Sequence, residues 1–431
     1  MAKCKDHPLD VPINEVQITG SLRVHGLLIC LAVASSLVAC VLSFYLMFRH
    51  ATNYTQPKVQ KQILRILLMV PVYTVACTLS IQFYQQEVYI ASVYEFYESL
   101  VVASFFLLLC NYMHPDLEKL RQTFALIKPK PWIRPLRHIV VHIGRNKSGE
   151  TADGLKVFNI IWLGVFQFCV VKFLGALTKC ITEAADVYCA ESNNPSHAKI
   201  WVTVIEILSL VTAMLCLLQF YQQSKHVLAP HNPLLKFVAI KVVIFLFFVQ
   251  TFVFNLLTRE GGPIQPSATI SYPSWAVGIP STILCIEMAA VSILHLWAYP
   301  YAVHRVDASQ QGGKKGRDRE SINLEATTSY IGIGSSDGNT ADAFILTQPT
   351  VLVSQGGTMG WRAFADALNF LDIFQGVIQG TRFLVLETKK SRSTELDQFP
   401  NSRYEDMGDL RTNQLSEALM ADSSPRGLER L

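Results

Sequence analysis

Seven stretches of about twenty mostly apolar residues divide the first 300 positions of the chain, and this spacing constrains the fold more than any other feature. They run from Val24 to Arg49, Ile63 to Tyr84, Val93 to Met113, Lys156 to Ile181, Ile200 to Tyr221, Lys236 to Leu257 and Ala276 to Tyr299. Each is long enough to cross a hydrocarbon layer of about 30 Å. In lipid the backbone must satisfy its hydrogen bonds within its own segment, so runs of this length predict transmembrane helices. The fold class expected is an all-α integral membrane protein, a seven-helix bundle at 24–305. It follows a short N-terminal segment at 1–23 and precedes a largely disordered tail at 306–431.

Composition supports the division. Charged residues make up 16% of the chain and apolar ones 50%, against roughly 25% charged in soluble domains. Residues 1–305 hold 24 of the 37 Lys and Arg and 16 of the 33 Asp and Glu, whereas the tail carries a net negative charge. A soluble enzyme, a secreted disulfide scaffold and a nucleic-acid binder are all disfavoured. No Gly-x-Ser-x-Gly, Walker or dinucleotide-binding motif occurs, so the chain reads as a non-enzyme without cofactor. His138 and His142 are four apart but lack the glutamate of a zinc-binding helix, and no metal site is assigned.

Cytoplasmic loops retain Lys and Arg. The segment between the third and fourth runs contains Lys119, Arg121, Lys128, Lys130, Arg134, Arg137, Arg145 and Lys147, while Gln85 to Ser92 contains none. An external or lumenal N-terminus and a cytosolic tail follow. Asn53 and Asn146, each in a glycosylation sequon, then face the cytosol and stay unmodified. Most cysteines sit inside runs, but Cys180 and Cys189 flank the outer loop after the fourth run and are placed to bridge in an oxidising lumen.

Ionisable residues inside spans are the main functional signal, because burying one costs about 2.5 to 3.5 kcal/mol even on insertion scales. Glu98, Lys172, Glu206, Lys241 and Glu287 are such residues. Glu98 and Glu206 lie five or six residues from the outer boundary and Lys172 nine, so Lys172 can pair with either. Together the five would line a polar path for solute or ion. The alternative is structural, with Glu98 and Lys241 snorkelling and the others fixing helix register.

Several short motifs occur in a specific order: Pro71-Val-Tyr73, Tyr97-Glu98, Gln219-Phe-Tyr221, Pro233-Leu-Leu-Lys236-Phe237 with Ile240-Lys241, then Gln250, and Ile286-Glu287-Met288. In these the chain resembles the family that joins the organic solute transporter alpha-subunit with transmembrane protein 184. The resemblance implies seven helices with an external N-terminus. For the transporter branch it also implies movement of sterol-like or bile-acid-like amphipaths with a single-span partner subunit. The segment from His114 to Thr151 lacks the cysteine cluster of that branch, and Thr78 and Val249 replace tryptophans. The chain is more similar to the transmembrane protein 184 side, with its fungal and plant relatives at vacuolar or endosomal membranes. A homo-oligomer is the other assembly expected.

In the tail, Phe364, Leu368, Leu371, Phe374 and Ile378 recur at three- and four-residue steps, predicting an amphipathic helix over 361–386 that lies on membrane lipid or docks in a groove. Phe370 and Ile373 have the aromatic-x-x-aliphatic spacing of peptides that bind ubiquitin-like autophagy proteins. A scaffold that recruits trafficking or autophagy proteins is therefore the alternative to a transporter of amphipathic solutes. A G-protein-coupled receptor fits less well, since Asn111-Tyr-Met-His-Pro115 stands where Asp-Arg-Tyr is expected.

Overall fold

The computed structural model describes residues 4, 9, 12–17, 23–127, 130–133, 154–190, 194–229, 235–239, 249, 250, 253, 254, 257, 267–305 and 355–398. Among these, every regular element is helical. The long helices are α1 (Val24–Thr52), α2 (Pro57–Gln82), α3 (Glu87–Met113), α5 (Gly154–Ala184), α6 (Ala198–Leu228) and α7 (Ile279–Ala298), with a short α4 (Leu117–Leu126) between α3 and α5. Six segments among the described residues are long and apolar enough to cross a membrane. The run expected from Lys236 to Leu257 is described only at 236–239, 249, 250, 253, 254 and 257, all helical, so most of it, with Lys241, lies outside the described residues. The basic positions Lys128, Arg134, Arg137, Arg145 and Lys147, with His138, His142 and Asn146, lie outside them too, as do residues 306–354.

Chain order sets the packing. Helices α2 and α3 pair, α5 and α6 pair, α3 joins the two pairs, and α7 returns to pack on α1 and α2. Among the described spans α2 is the most enclosed: 72% of its apolar stretch is buried, against 28% for α1. Polar side chains in α2 are placed by this enclosure. Thr74 and Thr78 donate back to the carbonyls of Val70 and Thr74 at 3.0 and 2.8 Å, a usual outlet for hydroxyls in a span. Ser36 of α1 reaches Thr78 at 2.9 Å. Pro71 sits inside the helix without ending it. Helix α2 begins at Pro57, six residues before its apolar run. Gln60 holds that entry, its Oε1 accepting from the amides of Thr55 and Gln56, both at 2.8 Å.

At the N-terminal end of the bundle the first residues form a strap. Glu15 Oε2 accepts from the amide of His25 at 2.8 Å, while Oε1 accepts from the Ser271 amide and hydroxyl and from the Ser274 hydroxyl at 3.0, 2.8 and 2.6 Å. Burial alone would raise this carboxyl, but its hydrogen bonds hold it below the usual range. Farther along, Cys4 is disulfide-bonded to Cys189, with Cα atoms 5.6 Å apart. This corrects the expected Cys180–Cys189 bridge: Cys180 is free. It lies within α5, which continues to Ala184, whereas Cys189 follows the turn, where the Cys4 amide donates to the Asp186 carbonyl at 2.8 Å and aligns the two segments.

The chain divides into two compact units, Met1–Val377 and Ile378–Leu431. Where one helix was expected over 361–386 there are two, α8 (Trp361–Leu368) and α9 (Leu371–Gln398). The break falls at Asn369 and Phe370, where Asn369 leaves helical geometry and its Oδ1 accepts from the Leu371 amide at 3.2 Å, starting the second helix. The part of the second unit within the described residues is the continuation of α9 to Gln398.

Candidate functional site

Five charged side chains from three helices meet inside the bundle. Glu95 and Glu98 are three residues apart on α3 and Lys172 and Lys179 seven apart on α5, so each pair shares one helix face. Glu206 comes from α6. Lys172 Nζ lies 2.9 Å from Glu206, 3.4 Å from Glu95 and 3.9 Å from Glu98. Lys179 Nζ lies 3.1 Å from Glu206 and also pairs with Glu95. Three carboxylates face two ammonium groups, a formal excess of one negative charge. Glu98, Lys172, Lys179 and Glu206 are buried.

The cluster is well inside the helices. Glu95 is eight residues from the start of α3, Glu206 eight from the start of α6 and Lys172 twelve from the end of α5, which is about 12 to 18 Å along each axis. A glycine lets α6 approach. A Cβ on Gly175 would stand 2.3 Å from Glu206 Oε1, so any side chain there would displace the carboxylate. That same oxygen is buried and has no hydrogen-bond partner among the described residues.

Of the residues expected to form one path, the structure unites Glu98, Lys172 and Glu206. Glu287 is elsewhere: it belongs to α7, which packs on α1 and α2, and it takes part in none of the cluster's ion pairs. It lies beside Gln250, yet Glu287 Oε2 and Gln250 Nε2 both lack a hydrogen-bond partner among the described residues. Glu95 and Lys179 were not anticipated. Their spacing from Glu98 and Lys172 was the available signal, three and seven residues along helices already carrying one buried charge.

The motif residues are structural neighbours of this site or of the far end. Tyr73 is buried against Tyr94, ring centroids 5.0 Å apart. Lys236 holds its Nζ 5.1 Å from the centre of the Tyr112 ring. Toward the tail end, Phe105 and Leu109 of α3 and Leu217, Leu218, Tyr221 and Gln222 of α6 line, with Phe237, a largely apolar cavity of about 190 Å³. The same two helices therefore carry charge at one level and an apolar recess at another.

Phe370 and Ile373 face the chain itself. Ile373 is 2% exposed, and the Phe370 ring centre lies 4.9 Å from the Arg65 guanidinium and 6.5 Å from the Tyr97 ring.

The family model described as organic solute transporter Ostalpha matches residues 28–304. A transmembrane protein 184 homologue of Dictyostelium discoideum is 27% identical over 307 residues, covering 70% of this chain. The chain spans 57% of that relative's length. No solved structure matches. With the match extending across all the described spans, the chain belongs to the organic solute transporter Ostalpha family.

Proposed function

We propose that this protein moves amphipathic organic solutes, sterol-like, bile-acid-like or lipid-like, through its own helix bundle without ATP hydrolysis. The observation that carries the reading is the ion-pair group of Glu95, Glu98, Lys172, Lys179 and Glu206, all but Glu95 buried. Five ionisable side chains held inside spans are costly to maintain and mark solute or ion pathways in membrane proteins. The apolar recess supplies the complementary half. From Glu98 to Phe105 on α3 is seven residues, and from Glu206 to Leu217 on α6 eleven, which is about 10 to 16 Å along the helices. That separation suits a ligand with a polar group at one end and a ring or acyl body at the other. Membership of the Ostalpha family supports the same class of activity.

The orientation we adopt places the N-terminal strap in the lumen and the tail in the cytosol. It rests on the basic residues of the α3–α5 connection and on a disulfide that needs an oxidising compartment. Among compartments, a vacuolar or endosomal membrane is the one we favour.

The test is uptake of labelled sterol-like and bile-acid-like solutes by proteoliposomes containing the full-length chain. Saturable uptake is expected, falling at least tenfold in Glu206→Gln with unchanged insertion. Wild-type vesicles that accumulate no more label than empty ones would overturn the proposal. Saturable flux unaffected by Glu206→Gln would keep transport and remove the cluster from the pathway.

A further inference from the structure

The segment from Gln355 to Val377 is seated on the tail end of the bundle through contacts that a disordered tail would not make. Arg65 of α2 is 1% exposed and spends its guanidinium entirely on local and tail partners. Its Nε donates to the Ala367 carbonyl at 2.8 Å, Nη1 to Asp372 at 3.0 Å, and Nη2 to the Asn369 carbonyl at 2.5 Å and to Asp372 at 2.7 Å. From α5, the Trp162 indole N–H donates to the Gly376 carbonyl at 2.8 Å. A Cβ on Gly376 would lie 2.4 Å from the Phe166 ring, so only glycine allows this approach. Inward-facing Ala363, Ala367 and Ile373 are buried.

The opposite face is apolar and uncovered. Trp361, Leu368, Leu371 and Phe374 are 59 to 72% exposed, one stripe along both helices, with Arg362 and Gln375 beside it. The level at which the segment sits identifies what this stripe meets. Arg65 is eight residues inside α2 and two inside its apolar run, and Trp162 is eight inside α5 and six inside its run, which places the segment about 3 to 9 Å into the apolar runs, at the boundary of the hydrocarbon layer. Helix α8 also packs on α1, whose Phe44, Tyr45 and Phe48 near the same end are exposed. The stripe thus continues the outer apolar surface of a span.

We propose that residues 355–377 form an interfacial element of the membrane domain, one face locked to α2 and α5 and the stripe Trp361, Leu368, Leu371 and Phe374 immersed in the acyl region of the adjoining leaflet. Amphipathic helices that lie in the interface bury such faces by about 5 to 10 Å. Here the rotation of the helix about its axis is fixed by protein contacts rather than by lipid alone.

Photolabelling from the lipid side tests this. The full-length chain is reconstituted in phosphatidylcholine vesicles carrying a small fraction of diazirine-acyl phosphatidylcholine, irradiated, and its adducts mapped by mass spectrometry. Adducts are expected on Trp361, Leu368, Leu371 and Phe374 but not on Ala363, Ala367 or Ile373. Leu37 and Val41 of α1, both exposed on a span, serve as the positive control. Asp372→Asn should spread labelling onto Ile373 as the helix loses its fixed rotation. Labelled α1 with an unlabelled stripe would overturn the proposal by placing the stripe in water or under a protein partner. Labelling of both faces in the wild-type chain would overturn the docked arrangement. Wild-type labelling decides these outcomes even if the variant does not accumulate.

Discussion

Glu206 accepts from two lysines at once, Lys172 at 2.9 Å and Lys179 at 3.1 Å, which lie seven residues apart on α5. A single carboxylate on α6 is thereby shared between positions two turns apart on its neighbour, and Glu95 of α3 bridges the same two ammonium groups. Removing one partner of a buried group leaves uncompensated charge, at a typical cost of about 3–5 kcal/mol. Lys172→Met should therefore destabilise the protein strongly, and adding Glu206→Leu should recover part of the loss because the charge count then returns to its original excess. Thermal unfolding of the purified single and double variants measures the coupling. Additive effects would show that Lys172 and Glu206 do not act as a pair.

Gly175→Val should fail for a steric reason distinct from charge. Its Cβ would meet Glu206 Oε1 at 2.3 Å, and overpacking of this kind typically costs about 1–3 kcal/mol. A lower unfolding temperature is expected, with the ion pairs of Glu206 broken. An unchanged temperature would mean that α5 and α6 are farther apart than described.

Non-reducing peptide mapping should recover Cys4 linked to Cys189 and Cys180 as a free thiol. Cys180→Ser should leave the linked peptide in place, and Cys4→Ser should abolish it. Recovery of a Cys180–Cys189 peptide from wild-type protein would contradict the strap.

Acid should release the tail segment. Burial would raise the Asp372 carboxyl, but hydrogen bonds and charge from Arg65, with Gln62 and Lys61, bring it down to about 2. A carboxylate lowered on docking contributes stability that is complete above its free value near 3.8 and is lost as pH falls from there through about 2. Hydrogen exchange of residues 361–376, corrected for intrinsic rates, should accelerate in that window relative to α3. In Asp372→Asn the exchange should already be fast at neutral pH and nearly independent of it. A wild-type profile flat down to pH 2 would contradict the assignment.

Much of the membrane domain could be read from the chain because each span meets the same local demand, a length of apolar side chains around a self-bonded backbone. Local demand also explains the errors at its margins. Helix α2 starts at Pro57 because Gln60 organises the turn before it, and polar Gln62 and Arg65 are buried because residues from 367 to 372 cover them. Nothing near Arg65 announces a partner 307 positions away. That Lys172 could reach Glu206 or Glu98 followed from depth alone, and the structure brings it near both. Depth could not reveal that Glu287 sits on a helix paired with α1 and α2, since the order of helices around a bundle leaves little trace in hydropathy. The tail periodicity marked an apolar stripe, but the docked face is made by Ala363, Ala367, Ile373, the Gly376 carbonyl and Asp372, of which only Ile373 carries a strong hydrophobic signal.

The packing of α1 against α7 has a consequence for synthesis. Helix α1 ends at Thr52, and α7 begins at Ile279, so α1 must wait for more than two hundred further residues before this neighbour exists. Its outward apolar residues, among them Leu31, Leu37, Val38 and Val41, suit it to lipid during that interval, while Arg49 and His50 wait for Tyr301 and Tyr299 beyond α7. The strap from Glu15 to Ser271 and Ser274 likewise forms only once the stretch leading into α7 has been made. Two distant parts of the membrane domain are thus tied at its N-terminal end, where the Ser271 amide and the Ser271 and Ser274 hydroxyls fasten a carboxylate made more than 250 residues earlier.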